Sequence, residues 1–188
     1  MRNHNKINTF WLGIATQFAK DAEAHHYHTS KNFNPIKRNI LKRLWWCCIL
    51  RDRIISLGVR RPLQISSADF VTHQPPLSVG DLQSEIGRSK VYSPNTKVLL
   101  NQLTVALCEL ATVLTEVIML LYPLHGSIDS ILSAEEKVAQ SLSLLATCRS
   151  SLVGWFKKIF MSFPQPSRTG DIHKSVILYT DLIYIYYQ

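Results

Sequence analysis

Apolar residues recur every three to four positions over most of this chain, and this is the period of an amphipathic α-helix. Residues 35–62 contain two adjacent tryptophans, and Asn34 and Pro35 predict where their helix begins, since Asn caps helices and Pro suits the first helical position. Gly58 predicts a left-handed end, and Pro62 prevents continuation. On this Trp-Trp helix, the residues predicted to share one core face are Leu41, Leu44, Trp45, Cys48, Asp52 and Ile55.

The same period predicts further helices on both sides of the Trp-Trp helix. Three of them cover residues 7–22, 81–86 and 93–122. A fourth helix is predicted to begin at a capping box, Ser133–Glu136, and a fifth at Thr169 or Asp171. No strand pairing is indicated. We therefore expect an all-α fold, an irregular bundle of at least five helices around the Trp-Trp helix with one long central hydrophobic helix. The face predicted for the first helix is Ile7, Phe10, Trp11, Ile14, Phe18 and Ala22.

The long helix, residues 93–122, is also long enough to cross a membrane. Glu109 and Glu116 are spaced by seven and share a face, and each would cost about 2.5 kcal/mol or more at a bilayer centre. A polar stripe, Asn101 to Thr115, lies opposite the apolar one. We therefore expect a core helix and no membrane partner.

The formal net charge of +8 is uneven along the 188 residues, a length that suits one domain. Residues 1–61 contain 12 Lys/Arg and 3 Asp/Glu, a balance of +9, whereas the rest has 9 and 10, a balance of −1. The basic part indicates either an acidic or nucleic-acid neighbour or, as we favour, solvated helix faces.

Motifs that would indicate catalysis or metal binding do not occur at useful spacings. The Cys47, Cys48, Cys108 and Cys148 pattern matches no zinc site and favours reduced core cysteines. The His25–His28 cluster invites a metal interpretation, but no carboxylate or cysteine group completes it. We expect no metal, no catalytic residue and no enzyme.

Asp52 is the ionisable residue that the periodicity places in the core, where a carboxylate needs partners. The favoured interpretation is structural, with Asp52 pairing Arg60 or Arg61 or accepting backbone N–H groups near Gly58. The alternative is a polar group in an effector pocket beside Trp45 or Trp46.

Three short runs resemble the signature of the fungus-specific transcription factor domain, the regulatory region of the Zn2Cys6 zinc-cluster family. They are Lys42–Trp46, Arg51–Arg53 and Gly58–Leu63, and the Arg-Arg-Pro form is most similar to the cutinase- and xylanolytic-activator-like branches. Residues 69–70, 91–94 and 110–122 resemble the same region. The signature positions implied by the resemblance are Arg43, Trp45, Trp46, Asp52, Gly58, Arg61 and Pro62.

The resemblance implies a single nuclear regulatory domain over residues 1–188, which we expect to be incomplete at both ends. It implies contacts with transcription-machinery or regulatory proteins, a small-molecule effector, and a homodimer in the full-length protein. In the family, DNA is bound by a separate module with two zinc ions on six cysteines. No such array occurs here, so we expect neither zinc, another cofactor nor DNA contacts in this chain.

Two hypotheses from other classes remain open at this stage. One is a small helical ligand-binding protein or enzyme that uses Asp52 and the His25–His28 cluster. The other is a membrane-associated helical protein, suggested by residues 98–124 and the basic first part of the chain.

Overall fold

A computed structural model describes residues 2–29, 33–66, 69, 75–123, 134–163 and 173–187. These residues form helices and no strands, which confirms the expected all-α class. The α-helices are α1 Arg2–Asp21, α2 Pro35–Val59, α3 Val79–Leu82, α4 Pro94–Leu121, α5 Ala134–Ser162 and α6 Lys174–Tyr187, and short 3-10 turns cover Ala24–His26 and Gln83–Glu85.

The Trp-Trp helix is α2, and its two ends differ in how well the sequence predicted them. The Asn34 side chain accepts a hydrogen bond from the Lys37 N–H at 2.7 Å, and Pro35 is the first helical residue, as expected. The prediction for Gly58 is wrong. The helix continues to Val59, and Arg60 has the left-handed backbone with φ 55°, while its N–H bonds the Ser56 carbonyl.

The buried arc of α2 is wider than one stripe because the helix packs against α1 on one side and α4 on another. The predicted core positions Leu44 and Ile55 are wrong: Leu44 is 40% exposed and Ile55 is half-buried. The buried residues of α2 are Leu41, Trp45, Trp46, Cys48, Ile49, Asp52, Arg53 and Ser56.

The predicted core face of α1 is also wrong, because the helix is rotated. Leu12, Thr16 and Ala19 are buried towards the rest of the fold, whereas Phe10, Trp11 and Phe18 are exposed. The buried face of α1 packs against α2. The large apolar residues of α1 consequently point to solvent.

The long helix α4 lies at the centre, with α2 and α3 on one side and α5 and α6 on another. This arrangement buries part of the stripe that we expected to be polar and outward, including Asn101, Cys108 and Thr115. Asn101 Nδ2 donates to the Leu82 carbonyl at 3.2 Å, and Thr115 Oγ1 donates to the Ala111 carbonyl at 2.8 Å. The helical period also places Leu99 and Leu121 on the apolar core stripe of α4, and this prediction is wrong, because their side chains are 37 and 50% exposed.

Length and composition alone would let α4 cross a membrane, and it is the single described helix of which this is true. Half of its most apolar window is buried within the fold. The absence of a membrane partner stays a prediction.

Helices α5 and α6 complete a second core on the far side of α4. Trp155 Nε1 donates to the Ala106 carbonyl at 3.2 Å, and Trp155, Ile159, Val176 and Ile183 are buried. The helical period predicts one core face for α5, formed by Val138, Leu142, Leu145, Cys148, Leu152, Phe156 and Ile159. The prediction is correct only in the second half of the helix, since Val138, Leu142 and Leu145 are exposed. The capping residue Ser133 and the two predicted starts of α6, Thr169 and Asp171, lie outside the described residues.

Candidate functional site: the buried Asp52 cluster

Asp52 is fully buried on α2, and both carboxylate oxygens accept hydrogen bonds from the chain that follows the helix. The Gln64 N–H lies 3.1 Å from both oxygens, and the Ile65 N–H donates to Oδ2 at 3.0 Å. Ser56 Oγ donates to Oδ1 at 3.4 Å. The structural interpretation of Asp52 is therefore supported, although the backbone donors lie beyond Pro62 and not beside Gly58.

Two arginines provide the positive charge next to this carboxylate. Arg53 Nη1 lies 3.1 Å from Asp52 Oδ2, and Arg61 Nη2 lies 3.4 Å from Oδ1. Of the two arginines expected as partners, Arg61 is thus the one in contact. We define the Asp52 cluster as Asp52, Arg53, Ser56 and Arg61 together with the N–H groups of Gln64 and Ile65.

Arg53 is the member that sequence reasoning missed, and it too is fully buried. Its Nε donates to Thr115 Oγ1 at 3.0 Å, which joins α2 to α4, and its Nη1 reaches the Ile65 carbonyl at 3.5 Å. Burial lowers the pKa of Arg53 to about 10, while the adjacent Asp52 charge opposes this shift. Arg53 therefore remains protonated at neutral pH.

Further hydrogen bonds fix the turn between α2 and residues 64–65, which donate to Asp52. The Arg61 N–H bonds the Ser56 carbonyl at 3.1 Å, and Arg61 Nη1 bonds the Pro62 carbonyl at 2.8 Å. The left-handed Arg60 reverses the chain just before this point. Pro62, an expected signature position, therefore provides a carbonyl acceptor as well as stopping the helix.

The remaining signature residues lie on α2 and do not form one site with Asp52. Trp45 and Trp46 are buried, and Trp46 Nε1 donates to Tyr27 Oη at 3.3 Å, which in turn donates to the Pro75 carbonyl at 2.6 Å. Arg43 forms an ion pair with Glu85 on the opposite side of the helix. The cavities of about 690, 500 and 370 Å³ that border α2 in the described part of the chain are not lined by Trp45 or Trp46, although the smallest includes Tyr27, the partner of Trp46. An effector pocket beside the tryptophans stays a prediction.

The chemistry open to this cluster is structural. A carboxylate with four or more donors has little capacity left to accept a proton from a substrate or to bind a metal ion. Removing one partner of a buried ion pair typically costs about 3–5 kcal/mol, because the other charge stays buried and unpaired. Asp52 therefore holds residues 60–65 against α2.

The histidines at 25–28 do not join Asp52. The His25 ring packs at a tilt against those of His26 and Trp45, with ring centroids 3.8 and 5.7 Å apart. Trp45 precedes Asp52 by seven residues, about 10 Å along the helix. Burial, and secondarily the His26 charge, lower the pKa of His25 and His28. Within the described residues no group of three or more His, Cys, Asp or Glu could hold a metal ion.

Fold and cluster together define the chain as an all-α domain whose buried polar residues serve its architecture. The comparison with protein families agrees. The fungal specific transcription factor domain matches residues 1–164. The chain belongs to this family, and it is a regulatory domain homologous to those of Zn2Cys6-family regulators.

Curated relatives are fungal transcription factors. The chain is 38% identical over 76 residues to cutinase transcription factor 1 beta of Fusarium vanettenii, which covers 40% of this chain and 8% of the relative. It is 29% identical over 87 residues to transcription factor cpaR of Aspergillus oryzae, covering 45 and 14%. It is 30% identical over 74 residues to the acetamidase regulatory protein of Aspergillus fumigatus, covering 39 and 9%.

The matched segments thus span no more than about a seventh of these relatives' own length. No solved structure matches the chain. Arg43, Trp45, Trp46, Asp52, Gly58, Arg61 and Pro62 stay a predicted family signature, with the positions and contacts given above.

Proposed function

We propose that this chain regulates RNA polymerase II transcription in the nucleus through contacts with an acidic protein of the transcription machinery. The observation that carries the proposal is an exposed apolar face on α1. We define this aromatic surface as Ile7, Phe10, Trp11 and Phe18, whose side chains are 48, 61, 59 and 69% exposed. Exposed aromatic residues in one patch are typical of protein interaction sites.

The surroundings of the aromatic surface favour a protein partner that is negatively charged. A groove of about 690 Å³ runs beside it and is lined mainly by apolar atoms, with Phe10, Gly13, Ile14 and Val59 among its residues. The aromatic surface and most of the groove lining, which includes Arg61 and ends at Gln64, come from residues 1–61, a segment with 12 basic and 3 acidic residues. An apolar helix with acidic flanks would match this groove in shape and charge.

DNA contacts of the whole factor are assigned by this proposal to a module outside residues 1–188. The chain has four cysteines, fewer than the six that a binuclear zinc cluster uses. The basic pairs Lys37–Arg38 and Lys42–Arg43 of α2 are of the kind that nuclear import signals use, but Lys42 and Arg43 form ion pairs with Asp81 and Glu85. We therefore do not assign an import signal to Lys42 and Arg43.

A tethering experiment tests the proposal. The full chain is fused to an unrelated DNA-binding domain, and reporter transcription is measured in a fungal host. We expect a severalfold change in transcription that the double variant Trp11→Ser/Phe18→Ser abolishes. The matched control is Leu144→Ser/Phe160→Ser on α5, whose residues are 41 and 54% exposed and which should retain the effect. An unchanged reporter, or equal loss in both variants, would contradict the proposal.

A further inference from the structure

A cleft of about 500 Å³ lies where α2, α3, α4 and α6 meet, on the side of α2 away from the tryptophans. Helices α2 and α6 both pack against α4, and the cleft separates them. Its volume falls within the range of about 300–1,000 Å³ that is usual for small-molecule sites. The α2 residues that line it, Arg43, Cys47, Leu50, Arg51 and Ile54, follow a single helical stripe.

The floor of the cleft is apolar. It is formed by leucine and isoleucine side chains from three helices, and none of them carries a polar atom. These residues are Leu50, Ile54, Leu100, Leu103, Leu107 and Leu182. A ligand that covers this floor needs an apolar body.

The charged residues of the cleft are unbalanced in favour of cations. Glu85 is shared between Arg43 and Lys97, which leaves one positive charge in excess in that group. Arg51 adds another, and it forms no ion pair among the described residues. Burial raises the pKa of the Cys47 thiol, so Cys47 stays neutral near pH 7 and adds no negative charge. The excess of about two positive charges favours an anion.

We propose that this cleft binds an organic anion with an apolar body, its charged group at Arg51 and its body on the leucine floor. As an effector site the cleft rests on the proposed regulatory function, whereas binding itself does not. The end of the cleft near Tyr92 is already fixed, because Tyr92 Oη bonds Ser175 Oγ at 3.2 Å and its ring packs on His173. A ligand would join α2 to α6 across the gap.

Two related probes separate charge from apolar contact. Anilinonaphthalene sulfonate has an apolar body and one anionic group, and phenylnaphthylamine has the same body without the charge. In fluorescence titrations of the full chain we expect saturable binding of the anion. Arg51→Gln should weaken binding of the anion by about tenfold or more and leave phenylnaphthylamine unchanged.

Variants that fill the cleft locate the site. Thr104→Phe places a ring in the cleft and should weaken both probes, and Cys47→Phe is a second filling variant in the same lining. Trp11→Ser/Phe18→Ser removes the aromatic surface and should change neither affinity. Circular dichroism melting verifies that each variant is folded.

Three results would overturn the proposal. The first is that the anion shows no saturable binding, and the second is that Arg51→Gln weakens binding of both probes equally. The third is that Trp11→Ser/Phe18→Ser loses probe binding while the two filling variants retain it. The tethered reporter separates the two proposals. A reporter response without probe binding would overturn the proposed anion site and leave the regulatory function standing. Probe binding without a reporter response would overturn the regulatory function and leave the anion site standing.

Discussion

The two sides of α2 differ in how their charged residues are used. On the buried side, Asp52 and Arg53 are fully enclosed and bonded to each other, to Thr115 and to the backbone after the helix. On the other side, Arg51 borders an open cleft and has no carboxylate partner among the described residues. Adjacent residues of one helix therefore serve architecture and, in our proposal, recognition.

The largest expected effect comes from removing the buried carboxylate. Asp52→Ala leaves Arg53 without its counter-ion and the Gln64 and Ile65 N–H groups without an acceptor, so we expect a loss of about 3–5 kcal/mol, enough for an insoluble or molten domain. Thermal melting by near-UV circular dichroism measures it. Asp21→Ala is the control, because Asp21 accepts from Gln17 at an exposed site. A variant that melts like the parent would refute a structural role for Asp52.

The arginine at the rim of the cluster should matter less. Arg61 is partly exposed and its contact with Asp52 is long, at 3.4 Å. Arg61→Ala removes this contact and the bond to the Pro62 carbonyl, for which we expect a loss of about 1–2 kcal/mol in urea unfolding. The neighbouring Arg60→Ala is not a neutral control, since Arg60 has a positive φ; Arg88→Ala, in a turn outside the cluster, is better suited. A cost equal to that of Asp52→Ala would contradict this ranking.

The two tryptophans allow a matched comparison on the buried side. Trp46 Nε1 bonds Tyr27 Oη, whereas Trp45 Nε1 is buried and has no hydrogen-bond partner among the described residues. Both substitutions to Phe lose similar volume, so Trp46→Phe should cost about 1 kcal/mol more than Trp45→Phe. Equal unfolding midpoints in urea would show that the Tyr27 bond adds no stability.

On the cleft side of α2, replacing a charged residue should barely change the free energy of unfolding. Arg51→Gln removes an exposed charge that has no carboxylate partner among the described residues, and we expect a change within about 0.5 kcal/mol. Urea unfolding of this variant next to Asp52→Ala compares adjacent positions directly. A large loss at Arg51 would mean that the two sides of α2 are not distinct.

The smallest expected effect is a pH dependence of stability that is set by two half-buried carboxylates, Asp81 and Asp69. Burial by itself would raise the pKa of Asp81 and Asp69. Hydrogen bonds from Lys42 and Ser78 to Asp81, and from Lys20 and Ser66 to Asp69, outweigh the effect of burial. Each pKa therefore lies below its ordinary value of 3.8. Because the folded state binds the proton more weakly, this stability is present above the ordinary pKa. It is lost as the pH falls through the lowered one. Urea unfolding at a series of pH values should show a shallower acid loss in Asp81→Asn.

Local signals in the sequence predicted the helices well because their causes are local. Asn34 and Pro35 fixed the start of α2, and the 3.6-residue period located the other helices. The end of α2 was misplaced because Gly58 is merely permissive of a left-handed backbone. Here the bonds from the Arg61 N–H to the Ser56 carbonyl and from the Gln64 N–H to the Asp52 carboxylate decide where the chain reverses, and these form only in the folded structure.

Which face of a helix is buried depends on its neighbours, and for this reason the buried face of α1 was predicted wrongly from the sequence. Phe10, Trp11 and Phe18 form the more apolar face of α1, yet Leu12, Thr16 and Ala19 pack inward. Arg53 was overlooked because a charged residue is rarely buried, although its position beside a buried Asp52 was a usable signal. The cleft could be anticipated only in part, since its α2 stripe mixes charged and apolar residues.

Hydrogen exchange of the Gln64 and Ile65 amides tests most directly whether Asp52 fixes the segment after α2. Neither residue is in a helix, so their amides would exchange rapidly in an ordinary loop. If both donate to the buried Asp52 carboxylate, NMR should show exchange as slow as that of the buried amides of α2. Exchange at the rate of an open loop, in a chain whose α2 amides are protected, would contradict the role of the Asp52 cluster.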